Sequence, residues 1–144
     1  MPEPTSDEST LPPDERLDRA YRRARYVVND FSLEIDVPQP DFDAWLTRRG
    51  CSTYAILTAW NPRSTPLPAA VNAARQATLE SLLRRRGLSF VPAAGTDPEG
   101  EWPAEHGVCL LDPPPDAARE LGVIYEQHAI VVGDVGGSPT LLWL

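Results

Sequence analysis

Lysine is absent from this chain. All thirteen cationic side chains are arginines, set against 21 Asp and Glu, which leaves a net charge of -8. An acidic excess of that size opposes attachment to nucleic acid or anionic lipid, because both reward a summed positive field. Nucleic acid is therefore a disfavoured partner. Cysteine is scarce as well: Cys51 and Cys109 form no C-x-x-C pair, which argues for reduced thiols and against a disulfide framework. With only His106 and His128 to add, a zinc site would need both histidines and both thiols to converge. No metal and no cofactor is expected. Long apolar runs are missing too, since no stretch nears the roughly 18 residues of a membrane helix, so no membrane partner is expected. Residues Met1 to Pro13 lack the basic and apolar regions of a secretory signal, which points to a cytoplasmic location. There is no G-x-S-x-G, H-E-x-x-H or G-x-G-x-x-G, so the common hydrolase, zinc-protease and dinucleotide signatures are excluded.

What is present is an ordinary globular composition, 42% hydrophobic over 144 residues, with 16 prolines against 9 glycines. The length suits one domain with one real core. Residues 1–12 hold almost nothing apolar and read as a disordered acidic tail, leaving a single domain over 13–144.

Hydrophobic periodicity orders the rest. Leu17, Ala20, Tyr21 and Ala24 recur at helical spacing between Asp14 and Arg25. Residues 26–37 alternate as a strand or bent hairpin arm, and 41–49 read as a short helix closed by Gly50. Thr53 to Trp60 is a buried strand, followed by a loop over 61–66. The spacing predicts a long helix over 67–86, with Ser64 or Thr65 as N-cap and Gly87 as terminator. A strand over 88–92, a long acidic loop over 93–105 and a short strand over 108–111 come next. Asp112 reads as the cap of a helix introduced by Pro113 to Pro115, with strands over 127–132 and 140–144 after it. Consecutive strands without an intervening helix imply an α+β fold, in which a mixed, largely antiparallel sheet carries its helices as a two-layer sandwich.

Two features suggest a site. Thr58-Ala59-Trp60-Asn61-Pro62-Arg63-Ser64 leaves a strand and enters the long helix through polar groups, and such a helix start can hold an anion. One turn on, a helical projection centres the apolar stripe on Val71, Thr78, Leu79, Leu82 and Leu83, with Asn72 and Arg75 inside it and Gln76 at its margin. A buried guanidinium or amide needs partners, so each faces either a satisfied network or a polar cavity. Glu105 and His106, at the end of the acidic loop, are the candidates for a general acid or base.

These residues resemble a bacterial family described as a domain of unknown function, number 3293. The resemblance rests on residues Tyr54 to Pro62, on Asn72, Arg75, Gln76 and Leu79, and on Gln127 with Ala129, Ile130 and Val131. It brings no activity with it. It implies that Thr58, Asn61, Asn72, Arg75 and Gln127 form one polar set. Three functional readings follow: a binding module in which these residues and Ser64 hold a small anionic or nucleotide-like ligand; an enzyme, hydrolase or transferase, working with Glu105 or His106 over the same pocket; and a structural or interaction domain whose polar groups satisfy one another.

Overall fold

The first helix, α1 (Pro13–Arg23), opens with Asp14 and Glu15 and closes with Arg22 and Arg23, the charge order a helix dipole favours. The structure is a computed structural model that describes residues 13–144, so the tail expected over 1–12 lies outside the described residues. Strands β1 (Arg25–Val28) and β2 (Phe31–Leu33) form a hairpin across Asn29 and Asp30, with Asn29 in the left-handed region at φ 53°. Helix α2 (Pro40–Arg48) and strand β3 (Thr53–Leu57) follow, and then α3 (Ala69–Arg85), β4 (Phe90–Thr96), β5 (Glu105–Leu111), α4 (Ala117–Ile124), β6 (Ala129–Asp134) and β7 (Thr140–Trp143).

Among the described residues, seven strands form one sheet in the order β2-β1-β4-β5-β3-β6-β7, and every neighbouring pair is antiparallel. With four helices packed on it, this is an α+β fold. The layering departs from the expected sandwich of two. Strands β3 and β5 are apolar at consecutive positions, so both faces of the sheet are buried. Tyr54, Ile56, Cys109 and Leu111 meet Tyr21 of α1 and Phe42 and Leu46 of α2. Ala55, Leu57, Val108 and Leu110 meet Leu79 and Leu83 of α3 and Leu121 of α4. The result is three layers. The sheet also curls around α1: Tyr21 packs edge-on against Trp143 of β7 at 5.3 Å, while the Asp36 N–H beyond β2 reaches the Pro139 carbonyl before β7 at 2.8 Å.

Other differences from the sequence expectations have local causes. β4 runs on to Thr96, through residues that Pro92 and Gly95 make look like a loop, because pairing with β1 and β5 overrides their low strand propensity. Neither Ser64 nor Thr65 caps α3; the residue before its first turn is Pro68, whose carbonyl accepts from Val71 and Asn72. Asp112 does not cap α4 but accepts the N–H groups of Ser52 and Thr53 at 2.8 and 2.9 Å, closing β5 onto the start of β3. Those two bonds hold its carboxyl below the usual range. Gly87 does terminate α3, at φ 68°, with the Leu88 N–H returning to the Leu83 carbonyl.

Register decides what meets at the end of the sheet. Leu57 pairs with Val108 and Ile56 with Val131, which gathers the exit of β3, the entry of β5 and the approach to β6 in one place. The candidate site is built there.

Candidate functional site

Where β3 leaves the sheet, the Thr58 hydroxyl donates to the His106 carbonyl and accepts the Trp60 N–H at 3.0 Å. That ties the outgoing strand to the incoming β5. Gly107 allows the close approach, since a Cβ there would lie 2.5 Å from the Leu57 carbonyl oxygen. The chain then turns sharply: Asn61, Arg63 and Ser64 all have positive φ, at 45°, 54° and 58°. Non-glycine residues hold such conformations only where their surroundings over-determine them.

The surroundings do so through amides. Asn61 is 4% exposed and Asn72 1%. The Asn72 Nδ2 donates to Asn61 Oδ1 at 2.7 Å, and the Asn61 N–H donates to Asn72 Oδ1 at 2.9 Å. Asn61 Oδ1 also takes the Leu67 N–H, and its Nδ2 donates to Glu105 Oε1 at 3.1 Å. The single side chain of Asn61 thus links α3 on one side of the sheet to a buried carboxylate on the other. Glu105 is 2% exposed. Burial and the nearby Glu105 charge push the Tyr21 and Tyr26 phenols well above their ordinary value, burial most of all. The Tyr21 hydroxyl lies by Ser64 and the main chain of His128 and Ala129, without a well-formed hydrogen bond to any of them.

Arg75 and Gln127 clamp the same turn from outside. Arg75 Nε donates to the Ala59 carbonyl at 2.6 Å and Nη2 to the Tyr125 carbonyl at 2.9 Å. Its cation therefore sits at the C-terminus of α4, where carbonyl dipoles favour it. Gln127 precedes β6 instead of opening it, and donates from Nε2 to the Trp60 and Tyr125 carbonyls, both at 3.1 Å. All six marked residues, Thr58, Asn61, Ser64, Asn72, Arg75 and Gln127, thus meet around one turn.

Glu105 and His106 do not share a site. As neighbours on β5 they point to opposite faces, Glu105 toward Tyr21 and Tyr26, His106 toward Trp60. Of the remaining acids of that loop, Asp97 is folded in, accepting the Glu99 and Glu101 N–H groups at 3.0 Å each and lying 3.4 Å from Arg23, while the Glu99 and Glu101 side chains are exposed.

The face of α3 that the sheet buries differs from the expected stripe. Asn72, Gln76, Leu79 and Leu83 are buried, while Val71 and Thr78 are exposed. Steps of four, three and four residues pick out that face, and such spacing is the signal that identifies Gln76. Beside it, between α3 and the open end of the outer sheet face, lies a concavity of about 350 Å³ lined by residues including Trp60, Gln76, Glu80, Pro92 and His106. A second, of about 460 Å³ and mostly apolar, shares Pro92, Ala93 and His106 with it and continues toward Trp45 and Arg49. Trp60 and His106 stand edge-to-face at 5.4 Å. Gln76 is 8% exposed and donates to Glu80 at 3.3 Å, but among the described residues its Oε1 and the Trp60 indole N–H have no hydrogen-bond partner. Among the described residues, no three His, Cys, Asp or Glu side chains gather as a metal ion would require, and no helix is long and apolar enough to cross a membrane.

Compared with known proteins, residues 57–130, just over half of the chain, match the family described as "Protein of unknown function (DUF3293)". The chain belongs to this family. The matched segment runs from the end of β3 through α3, β4, β5 and α4 into β6, and so contains the whole turn and both concavities' shared wall. No curated protein and no solved structure matches.

Proposed function

We propose that this chain is a small-ligand-binding module and that its ligand enters the groove at Trp60, Gln76 and His106. The observation that carries the reading is Gln76, a carboxamide 8% exposed whose Oε1 has no partner among the described residues, at the wall of a concavity of about 350 Å³. An unmade hydrogen bond of this kind costs about 1–3 kcal/mol, which a ligand donor would recover. Concave, largely apolar surface with a few convergent polar groups is the usual form of such sites. In this reading Thr58, Asn61, Ser64, Asn72, Arg75 and Gln127 are the frame that fixes Trp60, and Arg75 acts on the ligand through that frame.

A thermal-shift screen against nucleotides, sugar phosphates and other small metabolites tests it, since a ligand selective for the folded state raises Tm by mass action. The expected result is a shift that disappears in Gln76→Leu, which keeps the buried volume. A shift indifferent to both Gln76→Leu and His106→Ala would remove the groove as the site.

One observation favours the enzyme reading as a second: His106 is exposed and lines both concavities. A hydrolase or transferase using it as acid or base would lose turnover in His106→Gln while keeping the ligand-induced shift. Glu105, on the opposite face, takes no part in that version.

A further inference from the structure

Resting on the groove reading, we infer that the ligand is a mononucleotide, with its base between Trp60, Gln76 and His106 and its phosphate at Arg49. Three features of the groove support this. At one end, a donor, Trp60 Nε1–H, and an acceptor, Gln76 Oε1, both unpartnered among the described residues, belong to residues lining the same concavity. Together they complement a planar edge that offers both an acceptor and a donor, as a nucleobase does and a sugar phosphate does not. Between the ends, the lining is apolar, formed by Val91, Pro92 and Ala93, and suits the faces of a ring and a sugar better than a second charge.

At the far end, Arg49 is exposed and lies with its guanidinium 4.3 Å over the Trp45 ring. Stacking of this kind holds the side chain in place while leaving its N–H edge outward. Arg49 has no carboxylate within ion-pair distance among the described residues. Arg22, Arg23, Arg25, Arg63, Arg84 and Arg86, by contrast, each have at least one. An unpaired, pre-oriented guanidinium is suited to phosphate. A polynucleotide is disfavoured by the net charge of -8, whereas one terminal phosphate carries only a charge or two into that field.

The test is an NMR titration of the whole chain with AMP, GMP, CMP and UMP at millimolar concentration, following the Trp60 indole N–H signal, assigned as the one missing in Trp60→Phe. At least one nucleotide is expected to move that signal. Its nucleoside is expected to bind about tenfold more weakly, and Arg49→Met to bring the nucleotide down to the nucleoside's affinity. Ribose 5-phosphate is expected to leave Trp60 unmoved. The inference falls if no nucleotide moves the signal, if ribose 5-phosphate binds as well as the nucleotide, or if Arg49→Met binds it undiminished. If other small molecules still move the Trp60 signal, only the nucleotide assignment fails; if none does, the groove reading fails with it.

Discussion

Asn72 and Asn61 hold each other twice, side chain to side chain at 2.7 Å and main-chain N–H to carboxamide oxygen at 2.9 Å, across eleven residues of sequence. The pair keeps Asn61 at φ 45°, and with it the exit of β3. In Asn72→Ala both bonds go and a buried N–H is left unsatisfied, so stability should fall by about 2–3 kcal/mol in urea unfolding. A double-mutant cycle with Asn61→Ala should return a coupling of about 1 kcal/mol or more. Additive losses would mean that the two side chains act separately.

Arg75 reaches two carbonyls that lie far apart in sequence, those of Ala59 and Tyr125, and joins β3 to α4 by doing so. Arg75→Met should lower stability by about 1–3 kcal/mol, because both carbonyls lose a charged donor. Arg75→Lys should recover little of it, since one ammonium cannot span two acceptors that a planar fork reaches. Full rescue by lysine in thermal unfolding would show that charge, and not geometry, is what the position needs.

The order of elements was legible because period-two and helical patterns are local. Residues 13–23 and 69–85 alternate at helical spacing, and 53–57 is a short apolar run, whatever surrounds them. The three-layer arrangement was hidden. Consecutive apolar residues in β3 and β5 announce burial on both faces, but not which helix covers each. The polar set around Asn61 was visible as amides and a guanidinium out of place on an apolar face. Its partners were not, because carbonyls such as those of Ala59 and Tyr125 carry no side-chain signature. Gln76 and Trp60 were invisible as a pair for a similar reason, being brought together only by the turn at Asn61 and Ser64.

Gly107 sits where β5 passes the exit of β3, with Leu57 main-chain atoms where a Cβ would be. Gly107→Ala must push two strands apart, a cost of about 1–3 kcal/mol, and would also disturb the bond from Thr58 to the His106 carbonyl. Gly95→Ala is the control on the neighbouring strand, where the new methyl would meet only the Tyr26 ring at 4.0 Å. Thermal unfolding should separate the two by several degrees. Equal Tm values would mean that the sheet end relaxes freely.

The last expectation concerns alkaline pH. Burial pushes the Cys109 thiol from its ordinary 9.0 up to about 12, and burial likewise raises the Tyr21, Tyr26 and Tyr54 phenols. In the unfolded chain these groups ionise near their ordinary values, while in the folded chain they stay neutral. The unfolded state therefore binds fewer protons above about pH 9, and stability must fall as pH rises from there, with a slope of up to about 1.4 kcal/mol per pH unit for each group. Below that range these four groups contribute no slope. Urea midpoints measured from pH 8 to 11 should decline progressively, and Cys109→Ala should flatten the part of the decline that begins near pH 9, the thiol being the first of the four to ionise when unfolded. A midpoint that holds steady through pH 11 would mean that these side chains are not sealed from water as the fold requires. In the native protein at neutral pH, a thiol reagent should accordingly modify the half-buried Cys51 and leave Cys109 untouched.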